Sequence, residues 1–151
     1  MCIRDRFTVD VSKPEASAPE LSGTAGSDSI SGSDGDDVIR GLGGDDTLQG
    51  GLGNDIVFGD AGHDTYLFGP GLGKDIFVGG DGNDAIQLVG VDGGPSDSLE
   101  GPGGWVLALD GGRPDFTQTD NALEFDSEAS GVIVFADNSE LEFHDVVRVE
   151  W

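Results

Sequence analysis

Seven aspartates recur along one stretch of the chain: Asp28, Asp37, Asp46, Asp55, Asp64, Asp75 and Asp84. Two positions before each stands a glycine: Gly26, Gly35, Gly44, Gly53, Gly62, Gly73 and Gly82. Two positions after each stands an apolar residue: Ile30, Ile39, Leu48, Val57, Tyr66, Phe77 and Ile86. A short carboxylate next to a residue that lets the main chain approach closely is a source of hard oxygen ligands. The acids of the whole chain are biased the same way, 22 Asp against 8 Glu. Neither histidine, His63 nor His144, sits in an HExxH sequence, and no G-x-S-x-G occurs. The chemistry on offer is therefore cation binding rather than catalysis, and no enzyme activity is expected within these residues.

The units align on nine columns and begin at Gly23, Gly32, Gly41, Gly50, Gly59, Pro70 and Gly79. Glycine fills column four and aspartate column six in all seven units, and glycine fills column one in six of the seven. Seven glycines in one fixed column have a chance probability on the order of 10⁻⁸ at ordinary glycine usage. The register breaks once, with an eleven-residue step between Gly59 and Pro70 that lengthens the run "TYLF".

A nine-residue unit with one inward apolar position is too short for a helix pair. It fits a tight turn of six residues followed by a strand of about three. Two units then make one coil of eighteen residues, with parallel strands stacked about 4.8 Å apart. The expected fold is all-β: a parallel β-roll of about seven half-coils with almost no helix. Turns fall alternately on two edges, one carrying Asp28, Asp46, Asp64 and Asp84, the other Asp37, Asp55 and Asp75. Stacked turns bring two carboxylates and nearby glycine carbonyls around one gap. Such a cage suits Ca²⁺, which takes six to eight oxygens, better than Mg²⁺, which demands a stricter octahedron. With Cys2 as its one cysteine and two scattered histidines, the chain offers Zn²⁺ little. Two carboxylates about 5 Å apart repel by roughly 3 kcal/mol at an effective dielectric of ~20. Five neighbouring pairs rival the whole stability of a domain, about 5–15 kcal/mol. Up to about five Ca²⁺ ions are expected, with folding and calcium binding as one event.

The stretches "GGLGNDIVF" and "GGDGNDAIQ" match G-G-x-G-x-D-x-U-x, and the array resembles the RTX (repeats-in-toxin, haemolysin-type) calcium-binding family over residues 23–87. The resemblance implies a right-handed β-roll, extracellular location, and export by a type I secretion machinery with calcium-triggered folding outside the cell. Pro70 departs from column one, and Thr24, Ser33, Leu42 and Asp60 depart from glycine in column two. The two-residue slip is expected to weaken the sites between Asp55 and Asp75 and between Asp64 and Asp84. In column five, Asp36, Asp45, Asn54, His63 and Asn83 are expected to serve left-handed turn geometry. Asp34 and Asp81 in column three are lesser ligand candidates.

The rest of the chain frames the array. Residues 1–6, "MCIRDR", read as a translated sequencing-adapter end rather than a secretory leader, and Cys2 goes with them. Residues 7–22 hold a strand-like "FTVDV" and a Pro/Ala/Ser/Glu linker. The roll is expected over residues 23–88 and a β cap over 89–151. In the cap, "WVLAL", "ALEF" and a hairpin about residues 137–139 are predicted strands. The tail is similar to β segments that follow RTX arrays, and no activity carries over with that similarity. A net charge of −23 argues against nucleic acid, and no apolar run approaches a membrane span. The expected role is a Ca²⁺-binding module of a secreted bacterial protein. The alternatives are an adhesive or surface-binding solenoid, or the C-terminal part of a secreted hydrolase. Mixed residues in columns seven and nine argue against a flat adhesive array.

Overall fold

The computed structural model describes residues 20–91, 93–95, 104–110 and 116–151. Every regular element among them is a strand. Each repeat unit yields one turn and one strand: β2 (Ser29–Ser31), β3 (Val38–Arg40), β4 (Thr47–Gln49), β5 (Ile56–Ala61), β6 (Thr65–Phe68), β7 (Lys74–Asp81) and β8 (Ala85–Leu88), with β1 (Glu20–Ser22) ahead of them. Odd strands pair in parallel as β1–β3–β5–β7, even ones as β2–β4–β6–β8. Ile39 lies beside Val57 and Leu48 beside Tyr66, one coil apart. Column eight points inward, and Ile39, Leu48, Val57, Tyr66, Phe77 and Ile86 are fully buried between the two sheets.

The eleven-residue step leaves the coil intact. Of its two extra residues, Phe68 extends β6 and pairs with Leu88, beyond the pairing of Leu67 with Gln87. Phe68 is buried in the same core as Tyr66. The roll also starts earlier than residue 23. Leu21 pairs with Ile39, so residues 20–22, expected to end the linker, form the first strand instead. The strand-like "FTVDV" and the first six residues lie outside the described residues.

The C-terminal strands are β9 (Trp105–Leu109), β10 (Phe116–Gln118), β11 (Ala122–Phe135) and β12 (Glu140–Glu150). The expected hairpin is present, with Asn138 left-handed (φ 69°) in its turn. "ALEF" is not a separate strand. It runs on through bulges at 124–131 into the same fourteen-residue β11. β10, which the sequence reading missed, pairs with β11.

β12 joins the two halves of the roll. Glu140–His144 lie parallel to β7, and Arg148–Glu150 lie parallel to β8. Between them Asp145 adopts φ 57° and turns the strand from one sheet to the other. β12 thus covers the last strand edges of both sheets, which would otherwise present unpaired amides and carbonyls. Leu141, Phe143, Val146 and Val149 bury beneath it, and Phe135 packs on Phe68 with centroids 5.7 Å apart.

Candidate metal centre

The column-six aspartates form two ladders, as the nine-residue period requires. On the first edge, Oδ1 of Asp46 accepts the amide of Asp28 (2.7 Å), Oδ1 of Asp64 that of Asp46 (2.9 Å), and Oδ1 of Asp84 that of Asp64 (2.8 Å). On the second edge, Asp55 accepts from Asp37 (2.8 Å) and Asp75 from Asp55 (3.0 Å). The last rung of each edge spans the insertion without a break. All but Asp28 are at least 98% buried.

Column five forms a second ladder of opposite sense. Asp36 Oδ1 accepts the amide of Asn54 (2.8 Å), Asp45 Oδ1 that of His63 (2.9 Å), and His63 Nδ1 that of Asn83 (2.9 Å). Here each side chain reaches forward one coil, whereas in column six it reaches back. The column-five residues were expected to adopt left-handed backbone, and they do not. Among the described residues the non-glycine left-handed positions are Leu42, Asp60, Asn138 and Asp145. Two of these are in column two, where most of the array's departures from glycine lie.

Column two divides the turns into two kinds. In the first two, Thr24 and Ser33 each direct both amide and hydroxyl at their own carboxylate. Asp28 Oδ2 accepts at 2.6 and 2.8 Å, and Asp37 Oδ2 at 2.6 and 2.9 Å. In the five later turns column two is left-handed at Leu42, Gly51, Asp60, Gly71 and Gly80, as is column four beyond it. Oδ2 of Asp46, Asp55, Asp64 and Asp84 is then buried with no hydrogen-bond partner. Asp75 Oδ2 escapes this by accepting the hydroxyl of Tyr66 at 2.6 Å.

The column-one glycines show what faces those oxygens. A Cβ on Gly41 would collide with Asp46 Oδ2 and with the carbonyl oxygen of Gly59, one coil on. Gly59 is covered in the same way by Asp64 Oδ2 and the carbonyl of Gly79. The carboxylate oxygen and a main-chain carbonyl therefore share one face of the glycine. The column-four glycines stack separately. The main chains of Gly26, Gly35, Gly44, Gly53 and Gly62 each pack on the column-four glycine of the next coil, and Gly73 and Gly82 end the two stacks. The Gly73 carbonyl accepts the amide of Glu140. Column three stays outside, with Asp34 and Asp81 exposed.

Burial makes these carboxylates hard to ionise unaided. It is the largest cause of the rise of Asp55 to about 6, opposed by the Asp37 amide and reinforced by the charges of Asp37 and Asp36. Asp75 is pushed up to about 7, again chiefly by burial, against the Tyr66 hydroxyl and the Asp55 amide. Asp84 rises to about 6 for the same first reason, with Asp64 and Asp145 adding repulsion. Asp64 is raised too, first by burial. Buried acceptors with no donor, on carboxylates this reluctant to ionise, fit a hard cation as partner.

Among the described residues no three His, Cys, Asp or Glu side chains converge on one metal position. What converges at Gly41 and Gly59 is instead a carboxylate oxygen and a main-chain carbonyl, oxygen donors of the kind that suit calcium. Residues 20–48, 31–66 and 71–86 match the family model of the RTX calcium-binding nonapeptide repeat. The repeat segment is an RTX array. RTX repeats bind Ca²⁺ in a β-roll, and the parallel roll of β1–β8 has that form. No curated protein matches the chain. The RTX ladders explain why column six cannot vary. Asp46, Asp55, Asp64 and Asp84 each accept the amide of the aspartate one coil back and also face a column-one glycine. Tyr66, Thr24 and Ser33 are the contacts that the column reading missed: Thr24 and Ser33 lie in column two, whose residue type varies, and Tyr66 lies in column eight, where it reads as core alone.

Proposed function

We propose that the chain is the calcium-binding module of a secreted bacterial protein, exported by type I secretion and folded outside the cell when Ca²⁺ fills its edges. The ligands in this reading are the carboxylates of Asp28, Asp37, Asp46, Asp55, Asp64, Asp75 and Asp84 with main-chain oxygens of the stacked turns. The observation that carries it is the set of buried, unpartnered Oδ2 atoms at Asp46, Asp55, Asp64 and Asp84. Each lacks a donor, and a divalent cation supplies what is missing.

The two kinds of turn refine the number of ions. Gaps bounded by Asp46 and Asp64, by Asp64 and Asp84, and by Asp55 and Asp75 have left-handed turns on both sides. The gaps that involve Asp28 or Asp37 include a carboxylate whose Oδ2 is already held by both a hydroxyl and an amide, whereas Oδ2 of Asp75 accepts the Tyr66 hydroxyl alone. Of five possible ions, the three in the first group should bind more tightly. Equilibrium dialysis of the whole chain against ⁴⁵Ca²⁺ tests this. Tight uptake of about three ions, lost stepwise in Asp64→Asn and Asp55→Asn, supports the reading. A chain that takes up none at millimolar calcium refutes it.

A further inference from the structure

The last turn of the first edge has no repeat beyond it, yet its oxygen cradle is complete. At Gly79 an added Cβ would collide with Asp84 Oδ2 and with the carbonyl oxygen of Asp145. That is the relation of Gly59 to Asp64 and Gly79, and of Gly41 to Asp46 and Gly59. Asp145 therefore stands where the column-one glycine of the next unit on this edge would stand. The register agrees, since His144 pairs with Val78 and so sets Asp145 beside Gly79. The amide of Val147 donates to the Asp84 carbonyl at 2.9 Å, as Ala85 does to Asp64 and Thr65 to Asp46 at 2.8 Å each. Asp145 to Val147 thus cover in three residues what Gly79 to Ala85 cover in seven.

We propose that Asp145 completes a further divalent-cation site with Asp84 at this junction, one that the nonapeptide repeats alone do not make. The inference rests on the reading of the array as a calcium binder. Asp84 is fully buried, and its Oδ2 has no hydrogen-bond partner. It shares the face of Gly79 with a second acceptor, the Asp145 carbonyl, and two acceptors with no donor between them repel unless a cation joins them. The left-handed backbone of Asp145 is the reason its carbonyl can face Gly79 while β12 turns toward β8. Aspartate tolerates that conformation better than most residues. It also brings a carboxylate to a corner that lacks a column-six aspartate of its own. Hard oxygen donors of this kind select calcium, and the site would tie the cap to the roll through the metal.

Calcium titration of the whole chain by calorimetry tests the inference. Asp145→Asn keeps the residue's size and its tolerance of left-handed backbone but removes its charge. Gly79→Ala places a methyl group in the cradle itself. Each should lose one bound calcium per chain, or bind it about tenfold or more weakly, because ligand charge tunes such sites over decades of affinity. The exposed Asp126→Asn, which removes the same charge from β11, should titrate as the wild type. Far-UV circular dichroism at saturating calcium verifies that each variant is folded. An Asp145→Asn chain with wild-type stoichiometry and affinities overturns this inference and leaves the array's own sites standing. A wild-type chain that binds no calcium overturns both.

Discussion

The hydroxyl of Tyr66 donates to Oδ2 of Asp75 at 2.6 Å, from a column-eight position on β6 to a column-six carboxylate on the second edge. Both residues are buried, and the ring stacks on Phe77 with centroids 5.1 Å apart. At the end of the second edge a phenol therefore supplies the partner that Oδ2 of Asp46, Asp55, Asp64 and Asp84 lacks. Tyr66→Phe removes the donor and leaves the ring in place. In saturating calcium the variant should lose about 1–3 kcal/mol by urea denaturation, the cost of stranding a buried acceptor. Unchanged stability would mean that this hydrogen bond contributes nothing to the last turn.

The raised carboxyl groups set the pH dependence of the calcium-free chain. Asp55 and Asp84 titrate near 6 and Asp75 near 7, above the 3.8 of the unfolded chain. The folded form then binds protons more tightly than the unfolded one. Its advantage from these groups is complete below about pH 4 and disappears as pH rises through 6 to 7. In calcium-free buffer, acidification from pH 8 to 5 should increase the folded population seen by circular dichroism. With calcium present the sign reverses, because protons compete with the cation and apparent affinity should fall over the same range. A calcium-free chain that loses structure on this acidification contradicts the burial of charge described here.

Position along a ladder should matter more than residue type. Asp46 borders two gaps, with Asp28 below it and Asp64 above, and is 98% buried. Asp28 lies nearer the N-terminal end of its ladder and is held by Thr24. Asp46→Ala should therefore weaken calcium binding by at least about tenfold more than Asp28→Ala, measured by the same dialysis. Equal losses contradict the stacked arrangement.

What the sequence revealed is what repeats. Column one, column six and column eight each answer to a local, periodic demand: a cradle that a Cβ would fill, a ladder rung, and a place in the core. A coil of two units predicts which aspartates stack, and Asp46 duly lies between Asp28 and Asp64. The direction of the column-five ladder was not legible, because Asn, Asp and His serve turns and hydrogen bonds equally well by type. Column two showed its departures plainly, but their sorting into hydroxyl-held turns at Thr24 and Ser33 and left-handed turns at Leu42 and Asp60 is a matter of backbone angle. Tyr66 read as core and proved to be core with a polar tip. Asp145 carried no signal, since its place beside Gly79 comes from parallel pairing between strands more than sixty residues apart in sequence. "VIVFADNSELEFHDVVRVEW" announces a hairpin, and nothing local in it says that its second strand will bridge the two sheets of the roll.

The proposal that calcium is a condition of folding rests on buried carboxylates stacked one coil apart, and the far-UV circular dichroism of the whole chain tests it most directly. At neutral pH and moderate salt, the spectrum in excess chelator should be that of a largely unfolded chain. Addition of millimolar Ca²⁺ should produce the β spectrum in one cooperative transition, reversed by further chelator, and Mg²⁺ at the same concentration should not reproduce it. A full β spectrum in chelator, unchanged when calcium is added, would contradict the account.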